Sequence, residues 1–192
     1  DFDNNNVLDI VEAHYDGDFE DLVPERGFSC ISNAMPFVRQ EKQTFLNYAQ
    51  STLTDIFGNS LETSPYLEAN TLESVILINN GNSFKSYPLP FEAQISTAMH
   101  AGVSDINGDG HEDIFISQNF FTVQIETDRN DSGRGLVMFG DGKGNFDAIP
   151  GHKSGILVYG DQRGAAFSDY NMDGKVDILI SQNGAETKLF QN

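Results

Sequence analysis

One nine-residue segment carries oxygen-bearing side chains at a spacing that suits a bound cation. Positions 1, 3, 5 and 9 of residues 105–113 are Asp105, Asn107, Asp109 and Asp113. Gly110 stands at position 6, where a permissive backbone allows the tight curl that aims several ligands at one point. Carboxylates held so close repel one another, and Ca²⁺ accepts about six to eight oxygens with flexible geometry. The segment therefore predicts a calcium loop, with the backbone carbonyl of His111 as a further ligand.

The same pattern occurs at two other places in the chain. A second copy starts 64 residues later, and its predicted ligands are Asp169, Asn171, Asp173 and Asp177, with the backbone carbonyl of Lys175. A third copy opens the sequence, and its predicted ligands are Asp1, Asp3, Asn5 and Asp9, with the backbone carbonyl of Val7. In this copy Asn5 replaces the acidic fifth residue and Asn6 replaces the glycine. Asparagine tolerates the left-handed backbone region, so we expect this loop to form but to bind a cation more weakly.

Two other interpretations compete with a calcium loop. Turns rich in Asp, Asn and Gly also join strands without any metal, but three copies in one register favour a metal function. An EF-hand needs a glutamate at position 12 of its loop. Ile116 and Ile180 stand there, inside β-branched runs, so the loops are not EF-hands.

The composition limits the class of protein and its partners. The 192 residues carry a net charge of −18, with 39% hydrophobic residues, 18 Gly and 15 Phe. These values are typical of a globular, turn-rich β protein, and so acidic a surface argues against binding the phosphates of a nucleic acid. Cys30 is the only cysteine, which excludes an intramolecular disulfide. No apolar run is long enough to predict a membrane helix.

Residues 24–72 interrupt the β pattern and predict a helical insertion. A helix over residues 40–57 is indicated by one apolar face, which comprises Phe45, Leu46, Ala49, Leu53, Ile56 and Phe57. Pro36 suits a helix start and Gly58 suits a helix end. Ser64 and Pro65 predict a second, short helical turn.

The rest of the chain predicts short strands in a repeating order. Residues 8–14 read as a strand after the first loop, and small-residue strands precede the other two loops at 101–104 and 164–168. Strand pairs joined by Gly-rich turns are predicted at 75–84 and 135–146, and the opening half of a third pair at 188–192. Four short strands repeated at a fixed period are typical of a β-propeller blade.

The predicted fold is therefore all-β, a partial β-propeller of two to three four-stranded blades with a helical insertion. We expect residues 1–192 to form a single propeller segment, with blades at 1–20 plus 73–90, at 91–150 and, incomplete, at 151–192. Propellers usually close at about four to eight blades, so this segment cannot close a ring alone. We expect it to belong to a longer propeller chain or, less favoured, to self-associate through blade edges.

These motifs resemble a known repeat family. The pattern Asp-x-Asn-x-Asp-Gly-x-x-Asp before an Ile-rich strand, with Gly-Asp-Gly-x-Gly-x-Phe in the following hairpin, is similar to the FG-GAP/VCBS repeat, the blade of integrin α-type propellers and of many bacterial surface proteins. The residues Met35-Pro36-Phe37 and the helical insertion are similar to bacterial VCBS proteins of the ASPIC/UnbV-associated group. The resemblance covers residues 1–20 and 73–192. It implies Ca²⁺ ligation at positions 1, 3, 5 and 9 of each loop, and an extracellular, cell-surface or periplasmic location.

The expected function is a Ca²⁺-binding module for extracellular recognition or adhesion, with a protein or glycan ligand and a mainly structural metal. We expect no nucleic-acid partner and no membrane insertion. The alternatives are a hydrolase or lyase acting on polysaccharide or phosphoester, and a lectin that stacks sugars on Phe120, Phe121 or Tyr170.

An enzyme is less favoured because no catalytic group is evident in the sequence. The four histidines are scattered without ligand spacing: His14, His100, His111 and His152. Glu112 and Asp113 are adjacent, but neighbouring side chains of a strand point to opposite faces, so they do not form an acid–base pair.

Overall fold

The computed structural model describes residues 1–3, 5–125 and 127–192. The chain divides into two compact units, Asp1–Ala69 and Asn70–Asn192. The first unit holds a small hairpin and short helices, and the second is mostly β with small antiparallel sheets. The prediction of a β-rich fold with a short helical region is confirmed. The largest sheet has four strands, and the described residues form no closed ring of sheets.

In the first unit a two-stranded sheet follows the first loop. Strand β1 (Ala13–Asp16) pairs antiparallel with β2 (Asp21–Pro24). The strand predicted over residues 8–14 is wrong over 8–12, where Leu8 and Ile10 are 77% and 79% exposed. After the other two loops the strand pairs with the strand that precedes the loop. Residues 8–12 have no such neighbour among the described residues, so their apolar pattern alone does not make a strand.

The first unit has five short helices, and the end of the second, the third and the fourth occupy residues 40–57, where a single long helix was predicted. They are α1 (Phe28–Ala34), α2 (Pro36–Lys42), α3 (Phe45–Ala49), α4 (Leu53–Phe57) and α5 (Ser60–Thr63). The prediction of one long helix is wrong because threonine side chains begin new helices within its span. The hydroxyl of Thr44 accepts a hydrogen bond from the Asn47 N–H at the start of α3. Thr52 and Asp55 form a reciprocal capping box at the start of α4.

The predicted helix ends are partly confirmed. Pro36 occupies the first turn of α2, and Gly58 follows α4 with a φ of +54°, a backbone angle that favours glycine. Ser64 and Pro65 do not begin a helical turn, because Ser64 is the residue after the end of α5.

The helical unit has a hydrophobic core of its own. Its buried members are Phe28, Ile31, Met35, Val38, Tyr48, Leu53, Ile56 and Phe57. Three of the six residues of the predicted apolar face belong to this core, but Phe45 and Leu46 are 67% and 65% exposed. Phe45 and Leu46 lie outside this core because α3 is a separate helix, which directs Tyr48 towards the core instead. Residues 28–57 therefore bury their apolar groups against one another.

The buried tyrosine of this core makes the stability of the first unit depend on pH in the alkaline range. Tyr48 is 7% exposed and its hydroxyl donates a 2.6 Å hydrogen bond to the Arg26 carbonyl. Burial raises the pKa of Tyr48 from 10.0 to about 12. Since the unfolded chain loses the proton first, we expect stability that is present below pH 10 and lost as the pH rises towards 12. Thermal melting against pH, with phenolate absorbance, measures it.

A Tyr48→Phe variant is the control for this pH dependence. It removes the titrating hydroxyl and its hydrogen bond, which lowers the free energy of unfolding by about 1 kcal/mol at neutral pH. It should also flatten the decline in stability at alkaline pH that is attributed to Tyr48. An equally steep decline in the variant would assign the alkaline loss to other groups.

The second unit contains three antiparallel sheets in chain order. The hairpin sheet comprises β3 (Val75–Asn79) and β4 (Phe84–Pro88). The middle sheet has the order β5 (Ala98–Ser104), β6 (Asp113–Gln118), β7 (Leu136–Gly140) and β8 (Phe146–Ile149). The outer sheet has β10 (Asp177–Asn183) between β9 (Asp161–Ser168) and β11 (Lys188–Phe190). The remaining elements are a 3₁₀ turn at Phe91–Ala93 and the short helix α6 (Gly151–Ser154).

The hairpins predicted at 75–84 and 135–146 are confirmed. Each of the three sheets lies within one of the predicted repeats 73–90, 91–150 and 151–192. Within residues 1–24, β1 pairs with β2 inside the first unit.

The middle sheet is buried on both faces by the other two sheets. One face carries Ile114, Ile116, Leu136 and Met138, which pack with Ile76, Leu89 and Phe146. The other face carries Phe115 and Val137, which pack with Ile178, Ile180 and Phe190. Alternating side chains of one strand thus enter two different cores. At Gly102 a methyl group would lie 2.2 Å from the Phe167 ring, so β5 tolerates no side chain where the outer sheet approaches.

Candidate metal loops

The loop between β5 and β6, residues 105–112, is folded by its own acidic side chains. The Asp105 carboxylate accepts hydrogen bonds from the backbone N–H groups of Gly108, Asp109 and Gly110 at 2.8, 3.1 and 2.9 Å. An aspartate that gathers backbone N–H groups in this way closes a tight turn around its carboxylate. The first predicted ligand therefore also determines the curl of the loop.

The side chains at positions 3 and 5 of this loop bond to each other. The Asn107 amide donates to the Asp109 carboxylate at 2.9 Å, and the Asn107 oxygen accepts from the Asp109 N–H at 2.8 Å. Asp109 also accepts from the His111 N–H at 2.9 Å. The backbone bond from His111, followed by the amide of Asn107, holds the pKa of Asp109 below its usual value. The carboxylate is therefore ionised at neutral pH.

Asp113, at position 9, differs from the other ligands because it is fully buried. Its Oδ2 accepts from the N–H groups of Ile106 and Asn107 at 2.9 and 3.1 Å. Its Oδ1 accepts from the N–H of Gly140 on β7 at 2.9 Å. One carboxylate thus joins the loop to the third strand of the middle sheet.

The loop between β9 and β10 repeats this network. Asp169 accepts from the N–H groups of Asp173 and Gly174 at 2.9 and 2.8 Å. The Asn171 amide and the Lys175 N–H each donate to Asp173 at 2.9 Å. Those two bonds, the amide first, lower the pKa of Asp173. The second predicted loop therefore has the geometry of the first.

Asp177 repeats the role of Asp113. It is 1% exposed and accepts from the Tyr170 N–H of the loop at 2.9 Å. Its other oxygen accepts from the Asn192 N–H at 3.0 Å, just after β11. Asn192 also donates through its side chain to the Ile106 carbonyl at 2.7 Å, which joins the outer sheet to the loop between β5 and β6.

The loop at the start of the chain has the same internal bonds. Asp1 accepts from the N–H groups of Asn5 and Asn6, both at 2.9 Å. The Asn5 amide donates to Asp3 at 3.0 Å, and the Asn5 oxygen accepts from the Val7 N–H at 2.7 Å. Positions 3 and 5 are thus bonded in each loop, but here the carboxylate is at position 3 and the amide at position 5.

The exchange of carboxylate and amide between positions 3 and 5 bears on the cation affinity expected of the first loop. Asp3 supplies the carboxylate that Asn5 lacks, so the loop keeps three ligand carboxylates. Among the described residues, Asp1, Asp3 and Asp9 are the only three acidic, histidine or cysteine side chains whose ligand atoms all lie within 4.8 Å of one another. Asp9 is only partly exposed and its Oδ2 accepts from the Phe2 N–H at 2.7 Å. The first loop therefore has as many ligand carboxylates as the other two, and its weaker binding stays a prediction.

The left-handed backbone angles expected at position 6 are present in every loop. Gly110 and Gly174 have φ values of +87° and +86°, and Asn6 has +67°. Position 4 is also left-handed in the two later loops, at Gly108 (+78°) and Met172 (+62°). The sequence signals position 4 through Gly108 but not through Met172, since methionine has no preference for that region.

The side chains of each loop offer a cation oxygen ligands, which is the chemistry that Ca²⁺ prefers. A carboxylate oxygen that accepts one N–H bond keeps a lone pair for a metal. The loops are already curled by their internal bonds, but among the described residues three acidic ligand atoms lie within 4.8 Å of one another only in the first loop, not in the loops at 105–113 and 169–177. Backbone carbonyl ligands are predicted at Val7, His111 and Lys175. The N–H group of each of these residues donates a hydrogen bond to the side chain at position 5 of its loop.

The acidic pair and the histidines considered for catalysis lie in different surroundings. Glu112 is exposed while Asp113 is buried, as expected of neighbours on opposite faces. His14 lies 2.6 Å from Glu25 in the first unit. His100, like the other histidines, belongs to no three-residue ligand cluster among the described positions.

The aromatic residues considered for sugar stacking lie away from the hydrophobic cores. Arg163 lies over the Phe120 ring, 5.1 Å from its centroid, and Arg129 lies over Phe121 at 4.2 Å. Tyr170, inside the loop between β9 and β10, is 69% exposed. Each of the two phenylalanines therefore presents a ring already covered by a guanidinium on one side.

A second motif repeats at the period of the loops. Ile-Ser-Gln-Asn occurs at 116–119 and again at 180–183, at the strand ends opposite the loops. Asn119 is fully buried with a φ of +82°. It accepts from the Gly133 N–H at 2.8 Å and donates to the carbonyls of Gly133 and Gly160 at 3.0 Å. Repetition of the motif at the loop period was the signal that could have identified it.

Comparison of this chain with protein-family models, curated proteins and solved structures found no match. Among the described residues, no helix has the length and apolar character needed to cross a membrane.

Proposed function

We propose that this chain is a Ca²⁺-binding repeat module of the FG-GAP/VCBS type that serves recognition or adhesion. The observation that carries this proposal is the recurrence of one hydrogen-bonded loop at three places in the chain. In each loop the position 1 carboxylate closes the turn, and positions 3 and 5 pair a carboxylate with an amide. Ordinary connecting turns have no reason to share this register.

The proposed metal is Ca²⁺ and its role is mainly structural. Uncompensated carboxylates within a few ångströms repel one another, and a bound divalent cation turns that repulsion into attraction. A cation that binds only the folded state stabilises it by RT ln(1 + [L]/Kd), about 2.7 kcal/mol when free calcium is one hundred times Kd. The loops would then fasten β5 to β6 and β9 to β10 at one end of the sheets.

The proposed fold of the whole is a partial propeller of two to three four-stranded blades. The middle sheet is supported as a complete blade by its four strands in chain order and by the stacked sheets on both faces. The outer sheet has the first three strands of the same order. Whether residues 1–20 and 73–90 belong to one blade stays a prediction.

The proposed location is extracellular, cell-surface or periplasmic. Extracellular calcium modules bind at about 10⁻⁴ to 10⁻³ M, concentrations of calcium that the cytosol does not supply. The net charge of −18 supports a protein or glycan ligand rather than a nucleic acid.

A calcium titration of chelator-stripped protein tests the proposal. We expect two or three sites by calorimetry, and a melting temperature that rises with calcium. An Asp109→Ala variant should lose one site because it removes a ligand carboxylate. Glu112→Ala is the matched control: it removes a neighbouring exposed acid outside the ligand pattern and should keep every site. Absence of both heat and a melting shift would show that the loops are metal-free turns.

A further inference from the structure

One residue of the second unit forms hydrogen bonds with two of the candidate metal loops. We call residues 105–113 the middle loop and residues 169–177 the outer loop. The backbone N–H of Asn192 donates to the Asp177 carboxylate of the outer loop at 3.0 Å. The side-chain amide of Asn192 donates to the Ile106 carbonyl of the middle loop at 2.7 Å. Asn192 therefore holds both loops at once.

This connection reaches the position 9 carboxylate of each loop. In the outer loop that carboxylate is Asp177, which accepts directly from Asn192. In the middle loop it is Asp113, which accepts from the N–H of Ile106 at 2.9 Å. Both carboxylates are buried. A path of three hydrogen bonds thus joins one predicted metal ligand to the other.

The side chain of Ile106 connects the middle loop to the outer sheet a second time. It packs against the buried apolar cluster that includes Ile178 and Ile180 of β10. Strand β10 begins at Asp177, the last predicted ligand of the outer loop. The position of the middle loop is therefore linked to the outer loop by packing as well as by hydrogen bonds.

The two loops must become more ordered when a cation binds. Among the described residues, three acidic ligand atoms lie within 4.8 Å of one another only in the first loop. The middle and outer loops must draw their carboxylates together, and ordering a segment costs conformational entropy. Because Asn192 is shared, ordering of one loop also restrains the other, and the second cation then binds at a lower entropic cost.

We propose that the middle and outer loops bind calcium with positive cooperativity and that Asn192 couples them. This inference rests on the proposed function, since it requires both loops to bind the metal. The coupling is reciprocal, so each loop raises the affinity of the other by the same factor. We expect a factor of about five, the effect of one hydrogen bond between uncharged groups.

A calcium titration of the full, chelator-stripped chain followed by NMR tests the proposal. The amide signals of Gly110 and Gly174 report the middle and the outer loop separately. Asp109→Ala removes a ligand from the middle loop, and the outer loop should then bind calcium about fivefold more weakly than in the unmodified chain. Asp173→Ala should weaken the middle loop by the same factor. An outer loop with the same Kd in the unmodified chain and in Asp109→Ala would overturn the proposal.

Asn192→Ala tests whether this residue carries the coupling. The variant keeps the backbone N–H that bonds to Asp177 and removes only the amide that reaches Ile106. In the Asn192→Ala background, Asp109→Ala should no longer change the Kd of the outer loop. A fivefold effect that persists there would overturn the assignment to Asn192, and circular dichroism checks that the variant is folded.

Gln191→Ala is the matched control. Gln191 is the exposed neighbour of Asn192, and in the described structure its side chain donates to neither loop, so its variant should keep the fivefold coupling. Two loops that bind calcium independently would reject this inference and leave the proposed function standing. Loops whose signals do not respond to calcium would overturn both.

Discussion

Replacement of Asp113 by alanine is expected to lower the free energy of unfolding of the second unit by about 2–4 kcal/mol. The carboxylate is fully buried and accepts from the N–H groups of Ile106, Asn107 and Gly140. Removing it leaves donors without an acceptor, and the Gly140 N–H lies where water does not reach. Urea denaturation followed by circular dichroism measures the change.

The chelated state separates this structural role from metal binding. In excess chelator Asp113→Ala should remain strongly destabilised, whereas Asp109→Ala should change the stability much less because its partners are exposed. With calcium present, both variants should also lose the stabilisation due to one bound ion. Equal stability of the two variants in chelator would mean that Asp113 does not hold the loop to β7.

Replacement of Phe115 by alanine is expected to destabilise the second unit by about 3–5 kcal/mol. The ring is fully buried between the middle and outer sheets and meets Phe167 edge-on, with centroids 6.4 Å apart. The described residues form one apolar layer between these two sheets, and the loss of the Phe115 ring opens a cavity in it. The same denaturation experiment reports the effect.

Phe91→Ala is the matched control for this cavity. It removes the same ring from a side chain that is 74% exposed, so we expect a change within about 0.5 kcal/mol. Comparable losses in the two variants would contradict the stacking of the outer sheet on the middle one.

The helical unit shows why an apolar pattern alone overestimates helix length. The offsets of residues 45–57 fit one helical face, yet Thr44 and Thr52 begin new helices there. Hydroxyl side chains that accept backbone N–H bonds compete with the continuing helix. The capping signal of Thr52 with Asp55 was present in the sequence and outweighs the periodicity.

The sequence by itself determined the loops and the hairpins. Each loop is built from hydrogen bonds between residues at most seven positions apart, and each turn depends on residues such as Gly110 that favour its backbone angles. Interactions of such short range are encoded in the local order of residues, so spacing alone predicts them.

Only the tertiary structure decided which residues are covered and which segments become strands. Asp113 is buried because β7, 27 residues away in sequence, brings the Gly140 N–H to its carboxylate. Phe115 and Leu179 occupy equivalent positions, but a neighbouring sheet covers only the first. Residues 8–12 carry a strand pattern without a partner strand among the described residues. Burial and strand pairing depend on groups distant in sequence, and one repeat does not specify its neighbours.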